Sequence, residues 1–151
     1  MYFDRKIIML DTIVPDRVTA ETLIATKLYT SNVVTTQFKD AVLKREQHFP
    51  TGLQTETVGV AIPHTDADKV LVPQIGFMRL KEPVIFKQMG DNADVSVKFI
   101  FMLALKKSEE QLTMLQNLML LFQNQQVIKE IEQVSSKESF IALMKKNGIE
   151  K

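Results

Sequence analysis

Apolar residues in the N-terminal third of the chain predict one strand followed by two helices. Residues 3–10 offer a short apolar strand. Asp16 then marks a helix start, and the apolar residues that follow keep a helical spacing as far as residue 30. A second helix is predicted over residues 36–47, before Pro50. Two helices in succession after one strand indicate layers of helix and sheet.

The middle of the chain contains short apolar runs bounded by turn residues, which is typical of strands. These runs are residues 59–62, 72–80, 84–86 and 95–105, and Lys81-Glu82-Pro83 is interpreted as a turn between the second and third. In the last run, Val95, Val97, Phe99 and Phe101 are predicted to share one face, with Ile100, Met102 and Ala104 on the other. A strand that is apolar on both faces needs helices above and below it.

Three amphipathic helices are predicted to close the chain. Their apolar stripes are Leu112, Leu115, Leu118, Met119 and Phe122, then Val127, Ile128, Ile131 and Val134, and finally Phe140, Ile141 and Met144. Ser135 and Glu138 have the spacing of a capping box for the last helix. We therefore expect a single α/β domain over residues 1–151, with a mixed β-sheet flanked by helices on both faces.

Charge and cysteine content narrow the classes of function. The 19 Lys and Arg residues balance the 18 Asp and Glu residues to a net charge of +1, so nucleic acid is not the expected partner. The absence of cysteine excludes a disulfide framework and thiolate catalysis, and it fits a reducing cytoplasm. The strongly apolar run 99–105 is much shorter than the about 20 residues of a membrane helix. We expect a soluble, cytoplasmic protein without direct membrane insertion.

Two residues carry the candidate chemistry. His64 follows Pro63 at the end of the apolar strand 59–62, and loops at such strand ends commonly carry function. Arg45 follows Phe38 by seven positions in the second helix, which places it on the inward face. A guanidinium on an inward face needs an anionic partner or a wet site. An imidazole and an arginine together indicate that the protein holds or transfers an anion.

The residues around this pair resemble a known family. Arg45-Glu46, FPTGL at residues 49–53 and GVAIPH at residues 59–64 are similar to the IIA component of the sugar phosphotransferase system, in its fructose/mannitol class. The resemblance covers nearly the whole chain. It implies that the phosphocarrier protein HPr phosphorylates His64, which passes the group to a cysteine of a IIB partner, with the membrane IIC component involved indirectly. It also implies that Arg45 supports the phosphate, and it implies no metal or cofactor.

Several further residues are candidates for supporting roles. One ring nitrogen of His64 is expected to donate to a carbonyl or carboxylate, with a backbone carbonyl of the loop as the leading candidate. Thr51 and the backbone at Gly52 are interpreted as extra donors to the phosphoryl group. For Glu46, a supporting role and a solvated charge remain equally open.

Gln111 marks a departure from part of the resembled class, where several members have a second histidine at the matching position. Glutamine can donate a hydrogen bond to a phosphoryl oxygen but cannot carry a proton. Ser108 and Gln111 also have the spacing of a capping box, so a purely structural role is an equal alternative. The departure favours a galactitol-type branch, or another subgroup, over the mannitol branch.

Two other functions remain as alternatives. The first is a regulatory IIA-like protein whose phosphorylation state controls partner binding. The second is a metal-dependent hydrolase that uses both histidines, although His48, His64, Asp66 and Asp68 do not have the spacing of a compact zinc motif. His48 is expected to be a polar side chain at a helix end.

Overall fold

The computed structural model describes residues 1–150, and these form five β-strands and five α-helices. The strands are β1 (Ile8–Thr12), β2 (Gly52–Gln54), β3 (Gly59–Ala61), β4 (Gln74–Lys87) and β5 (Asp94–Ala104). The helices are α1 (Arg17–Thr30), α2 (Phe38–His48), α3 (Ser108–Phe122), α4 (Gln125–Gln133) and α5 (Lys137–Lys146). Across residues 1–150, no helix has both the length and the apolar character to cross a membrane.

The strands form one mixed sheet in the order β1-β4-β5-β3-β2. β1 runs parallel to β4 and β3 runs parallel to β5, whereas the pairs β4–β5 and β2–β3 are antiparallel. The two longest strands, β4 and β5, lie side by side near the centre of the sheet. The mixed sheet expected from the sequence is confirmed.

Helices cover both faces of this sheet, and each face has its own apolar core. On one face, buried residues of α3, α4 and α5, such as Leu118, Ile131 and Phe140, pack against the sheet. On the other face, α1 and α2 contribute residues such as Ile24 and Phe38. The predicted single α/β domain with helices on both faces is confirmed, because the two apolar faces of β5 each require such a cover.

The turn predicted at Lys81-Glu82-Pro83 is wrong, because β4 continues without a break from Gln74 to Lys87. The pairing of β4 with β5 shifts register between Arg79 and Val84, so these polar residues form a bulge instead of a turn. Proline is tolerated at a bulge because it needs no ladder hydrogen bond there. Turn residues and bulge residues have the same polar character, and the sequence does not distinguish them.

A second irregularity lies in β5. Gly59 pairs with Val97 but Val60 pairs with Phe99, so that Lys98 is an extra residue on β5 relative to β3. The alternation of faces changes at this bulge, and Val97 packs with Ile100 rather than with Phe99. The shared face predicted for Val95 and Val97 with Phe99 and Phe101 is therefore wrong.

Local capping signals set most helix ends. The carboxylate of Asp16 accepts a hydrogen bond from the Thr19 N–H at 2.8 Å, which confirms the predicted start of α1. The capping box of α5 uses Ser136 and Ser139, one position beyond the predicted Ser135 and Glu138. The error arises because Ser135 and Ser136 are adjacent, and the packing of α5 decides which of them starts the helix.

Gly59 allows β3, the strand that leads to His64, to lie close against β5. A Cβ atom at this position would be 2.2 Å from the carbonyl oxygen of Ser96. Because a backbone oxygen held between paired strands cannot easily move aside, we expect Gly59→Ala to lower the free energy of unfolding by about 1–3 kcal/mol. Urea unfolding followed by circular dichroism measures this loss, and an unchanged midpoint would contradict the close approach of the two strands.

Candidate functional site

His64 lies three residues beyond Ala61, the last residue of the short strand β3. The N–H of Leu103 in β5 donates to the carbonyl oxygen of Pro63 at 2.9 Å, which holds the loop beside the central strands. The ring of His64 is partly exposed, whereas Ile62 and Pro63 before it are buried. The strand end therefore presents one imidazole at the surface on a rigid support.

A hydrogen bond fixes the tautomer of the His64 ring. Nδ1 lies 2.8 Å from the carbonyl oxygen of Ile62. A carbonyl only accepts, so Nδ1 carries the hydrogen and Nε2 keeps its lone pair. Burial, with help from the charge of Arg45, lowers the pKa of His64 below its ordinary value of 6.5, against the opposing effects of the Ile62 bond and Asp66. The ring is neutral at neutral pH, with Nε2 as the available nucleophile.

Arg45 approaches the same position from the last turn of α2. Its charge is near enough to affect the titration of His64, and its Cζ atom lies 5.2 Å from the centre of the Phe49 ring. Its Nε atom is buried and has no hydrogen-bond partner among residues 1–150. A buried donor without a partner is costly, which makes this guanidinium suited to meeting an anion.

A groove of about 430 Å³ lies beside this arginine. Arg45 and Phe49 line one part of it, and Thr65, Asp66 and Lys69 line another. The ring of Phe49 is 64% exposed, so the groove has an apolar border next to its cationic groups. Because Thr65 directly follows His64, the groove lies next to the imidazole.

Glu46, the neighbour of Arg45, faces the interior and is only 3% exposed. Its carboxylate accepts hydrogen bonds from both the N–H and the hydroxyl of Thr51, each at 2.7 Å. Burial raises the pKa of Glu46 to about 6, although the two bonds from Thr51 and the charge of Arg17 oppose this rise. The alternative of a solvated charge, left open by the sequence, is wrong for Glu46.

Thr51 connects this carboxylate to the residue that orients the imidazole. The oxygen of its hydroxyl accepts the N–H of Ile62 at 3.1 Å, while its hydrogen is donated to Glu46. A continuous network therefore runs from Glu46 through Thr51 and Ile62 to Nδ1 of His64. Sequence reasoning named three of these residues but missed Ile62 and the network, because their contacts bring together distant positions.

This network changes the expectation for Thr51. Its single hydroxyl hydrogen is engaged with Glu46 and its N–H is engaged with the same carboxylate. The structure therefore places Thr51 as a support for the loop, with neither hydrogen directed to an incoming phosphoryl group.

Gly52 begins β2 and lies close to the end of β4. A Cβ atom on Gly52 would be 2.6 Å from the carbonyl oxygen of Lys87, and the carbonyl of Gly52 accepts the N–H of Met89 at 2.8 Å. The small residue thus permits the close packing that positions Thr51. Residues 52–54 are too few to show a strand periodicity, so β2 was not predicted from the sequence.

Gln111 contacts the loop on the other side of His64. Its Nε2 atom donates to the carbonyl oxygen of Thr65 at 3.0 Å. The capping box predicted for Ser108 and Gln111 is wrong, because Lys107 is the N-cap of α3 and makes no side-chain cap bond. The glutamine therefore ties the start of α3 to the residue after the imidazole.

The second histidine, His48, also lines the groove beside Arg45, but its ring is held on its own helix. His48 is exposed at the end of α2, with Nδ1 2.9 Å from the carbonyl oxygen of Lys44, as expected for a residue at a helix end. Over the described residues 1–150, no group of three or more histidine, aspartate and glutamate side chains is placed to hold a metal ion. The two histidines therefore do not form a common site with acidic residues.

Comparison with known proteins shows the family of the chain. Residues 1–147 match the family described as phosphoenolpyruvate-dependent sugar phosphotransferase system, EIIA 2. The chain is 32% identical, over 100 residues, to the galactitol-specific EIIA component of Escherichia coli K12, an alignment that covers 66% of this chain and 67% of that protein.

Solved structures show the same fold. IIA-mannitol of Escherichia coli, in its complex with phosphorylated IIB-mannitol, has a TM-score of 0.74 at 20% identity, covering 92% of this chain and 94% of that one. The nitrogen regulatory protein IIA-Ntr of Neisseria meningitidis has a TM-score of 0.73 at 25% identity, covering 93% and 94%. With the family match over nearly its whole length, the chain belongs to the EIIA 2 family of the phosphoenolpyruvate-dependent sugar phosphotransferase system.

Proposed function

We propose that His64 accepts a phosphoryl group from the phosphocarrier protein HPr and passes it to a cysteine of a IIB partner. The observation that carries this role is a neutral, partly exposed imidazole with a free Nε2, next to an arginine with an unpartnered donor. Membership of the IIA family makes the chain a phosphotransferase. The relay takes place in the cytoplasm and serves the coupled uptake and phosphorylation of a carbohydrate, with the membrane IIC component as an indirect partner.

The transfer needs no proton movement at His64. The lone pair of Nε2 attacks phosphorus as the P–N bond of the donor breaks, and the donor nitrogen leaves with the electron pair. The phosphorylated ring keeps its hydrogen on Nδ1 and becomes cationic, and the carbonyl of Ile62 stabilises that charge. When the cysteine thiolate of IIB attacks, the ring leaves as a neutral imidazole. The fixed tautomer therefore serves both directions of the relay.

Arg45 stabilises the charge of the phosphoryl group during transfer. Phosphoryl transfer depends mainly on positioning and on cations that meet the spreading negative charge. The guanidinium offers several donors, and its buried Nε has no other partner within residues 1–150. Gln111 and Gly52 act indirectly: Gln111 holds the Thr65 carbonyl, and Gly52 lets the start of β2 pack against the end of β4.

The surface around the site fits a transient protein partner. Phe49 is 64% exposed beside Arg45, and Leu112, next to Gln111, is 58% exposed. Apolar side chains around a charged centre are typical of surfaces that bind and release partners. The solved complex of IIA-mannitol with phosphorylated IIB supports IIB as the acceptor. The galactitol-specific relative and the glutamine at position 111 favour a galactitol-type system.

Labelling with phosphoenolpyruvate tests the relay. In the presence of the general phosphotransferase enzyme and HPr, we expect one acid-labile phosphoryl group per chain, followed by transfer to a IIB domain. If the label is retained and instead changes the binding of a partner, the regulatory alternative suggested by the likeness to IIA-Ntr is favoured. If wild-type protein takes no label, both functions are excluded.

Removing the hydroxyl of Thr51 should impair the relay. In Thr51→Val, Glu46 loses a donor and the Ile62 N–H loses its acceptor, so the His64 ring is less well held. By analogy with other groups that orient a reactive residue, we expect about 10- to 100-fold slower acceptance from phosphorylated HPr. Thr51→Ser should restore most of the rate, and Thr26→Val on the exposed surface of α1 is the matched control. A wild-type rate in Thr51→Val would contradict the role of the network.

A further inference from the structure

A cluster of charged groups that the relay does not touch adjoins Glu46 where α1 packs on α2. Glu21 on α1 is fully buried, and its carboxyl accepts a hydrogen bond from Nη1 of Arg17 at 2.5 Å. Its other oxygen, Oε1, has no partner within residues 1–150. Arg17 and Glu46 together line a cavity of about 290 Å³. The guanidinium of Arg17 is thus bonded to Glu21 and lies at the same cavity as Glu46.

The two carboxyl groups carry different charges at neutral pH. Burial, with help from the nearby charge of Glu46, raises the pKa of Glu21 to about 8, so this residue keeps its proton. Burial raises the pKa of Glu46 only to about 6, because Thr51 and Arg17 stabilise its ionised form. The positive charge of Arg17 is therefore left to balance Glu46.

The other cation at the cavity has a partner of its own. Lys87 of β4 also lines this cavity, and its Nζ atom is 2.5 Å from the carboxylate of Asp94. The charged groups around Glu46 are thus Arg17 and Glu21 from α1 and Lys87 from β4. Among these groups, Arg17 is the cation that stabilises the ionised form of Glu46.

The charge of Glu46 determines the direction of the hydrogen bonds that reach His64. An ionised carboxylate only accepts, so the Thr51 hydroxyl must donate to it and keep its oxygen for the Ile62 N–H. A protonated Glu46 would compete to donate to that same oxygen. The Thr51 hydroxyl would then lose its fixed direction, and with it the support of Ile62.

We propose that Arg17 is a positioning residue for His64, holding Glu46 ionised so that Thr51 and Ile62 keep the imidazole in its reactive orientation. Glu21 fastens Arg17 in place through the hydrogen bond within α1. This inference rests on the proposed phosphoryl transfer at His64 and adds the residue that maintains it. It also makes the transfer sensitive to pH through a buried carboxyl group that does not line the groove beside Arg45.

The rate of phosphoryl acceptance as a function of pH tests this role. Preformed phosphorylated HPr serves as the donor in single-turnover reactions between pH 5.5 and 8.5. Removing the charge in Arg17→Met should raise the midpoint of the acid limb by about one pH unit, since a neighbouring opposite charge typically lowers a carboxyl pKa by at least that much. The rate at pH 6.5 should then be about threefold lower than in wild type, and it should recover at pH 8.5.

Two further variants separate charge from structure. Arg17→Lys keeps the cation, so its midpoint should stay closer to that of wild type. Arg5→Met, at an exposed position, controls for the loss of any arginine. A merely structural role would lower the rate of Arg17→Met equally at every pH. A folded Arg17→Met protein with the wild-type midpoint would therefore overturn the proposal.

A titration of the wild-type protein tests the link from Glu46 to Thr51 and Ile62, on which the proposal depends, even if Arg17→Met does not fold. By NMR, the Glu46 carboxyl should titrate near pH 6, and the N–H signals of Thr51 and Ile62 should shift with the same midpoint. Thr51 and Ile62 signals that do not follow the titration of Glu46, or a Glu46 midpoint above neutral pH in the wild-type protein, would overturn the inference. If His64 takes no label at all, the relay itself fails, while this titration still reports on the network.

Discussion

Replacing His64 by alanine is expected to abolish phosphoryl acceptance, with less than about 1% of the wild-type label remaining. The reason is that transfer requires a neutral nitrogen lone pair at the surface, and Nε2 of His64 meets this requirement with its tautomer fixed by Ile62. The groove beside His64 contains one other imidazole, that of His48. The remaining side chains that line the groove are cationic, acidic, hydroxyl-bearing or apolar, and none is a comparable nucleophile. The measurement is the stoichiometry of label per chain with excess phosphorylated HPr.

His48 provides the matched control for this experiment. It is exposed, and its Nδ1 atom lies near the Lys44 carbonyl on its own helix, with no link to the network around Glu46. We expect His48→Gln to take one phosphoryl group per chain, as wild type does. Full labelling of His64→Ala would show that a residue other than His64 accepts the phosphoryl group. Loss of label only in His48→Gln would show that His48 is the acceptor.

Replacing Arg45 by alanine is expected to lower the rate of phosphoryl acceptance by about 10²- to 10³-fold, the usual cost of removing a donor from a developing charge. The fold should be retained, because the side chain is partly exposed and its Nε has no partner among residues 1–150 that would be left unpaired. Single-turnover labelling gives the rate, and thermal unfolding gives the stability.

Two variants sharpen this test. Arg45→Lys keeps the charge but loses the planar fork of donors, so we expect only partial recovery of the rate. Lys39→Ala removes another exposed cation from α2 and controls for a general change in charge. Unchanged kinetics in Arg45→Ala would show that the phosphoryl group is stabilised by something other than this guanidinium.

The layout of helices and strands was largely predictable because each element carries a local signal. Helical spacing and the cap at Asp16 identified α1, and the two apolar faces of β5 required helices on both sides of the sheet. The errors lie where local signals are ambiguous. The residues around Pro83 have the composition of a turn but form a bulge. The extra residue Lys98 changes which face of the sheet the following side chains of β5 occupy, and no nearby residue type in the sequence indicates this change.

The proposed reactive pair, His64 and Arg45, could be picked out from the sequence for a different reason. His64 follows a proline at the end of a buried strand, and Arg45 belongs to a motif in a short segment of the chain. The inward face predicted for Arg45 is only partly right, because the buried residues of α2 are Phe38, Val42 and Glu46, and Arg45 lies half-buried beside them. Gln111 was identified by position, but its contact with the Thr65 carbonyl joins residues 46 positions apart, and the spacing from Ser108 suggested a cap instead.

The hydrogen-bond network around Glu46 could not be predicted, because it depends on contacts between different helices and strands. Arg17 and Glu21 have the i,i+4 spacing of an ordinary surface ion pair. The burial of Glu21 arises only when α1 packs on α2 and brings it near Glu46. In the same way, the link from Thr51 to Ile62 spans 11 positions and follows from the pairing of β2 with β3.

The site of attachment on the phosphorylated protein is the most direct test of the relay. NMR of ¹⁵N-labelled protein, phosphorylated by HPr, shows which ring nitrogen is coupled to phosphorus. We expect the phosphoryl group on Nε2 of His64, with Nδ1 still protonated and bonded to the Ile62 carbonyl. Phosphorus on Nδ1 of His64, or on any other residue, would contradict the proposed mechanism.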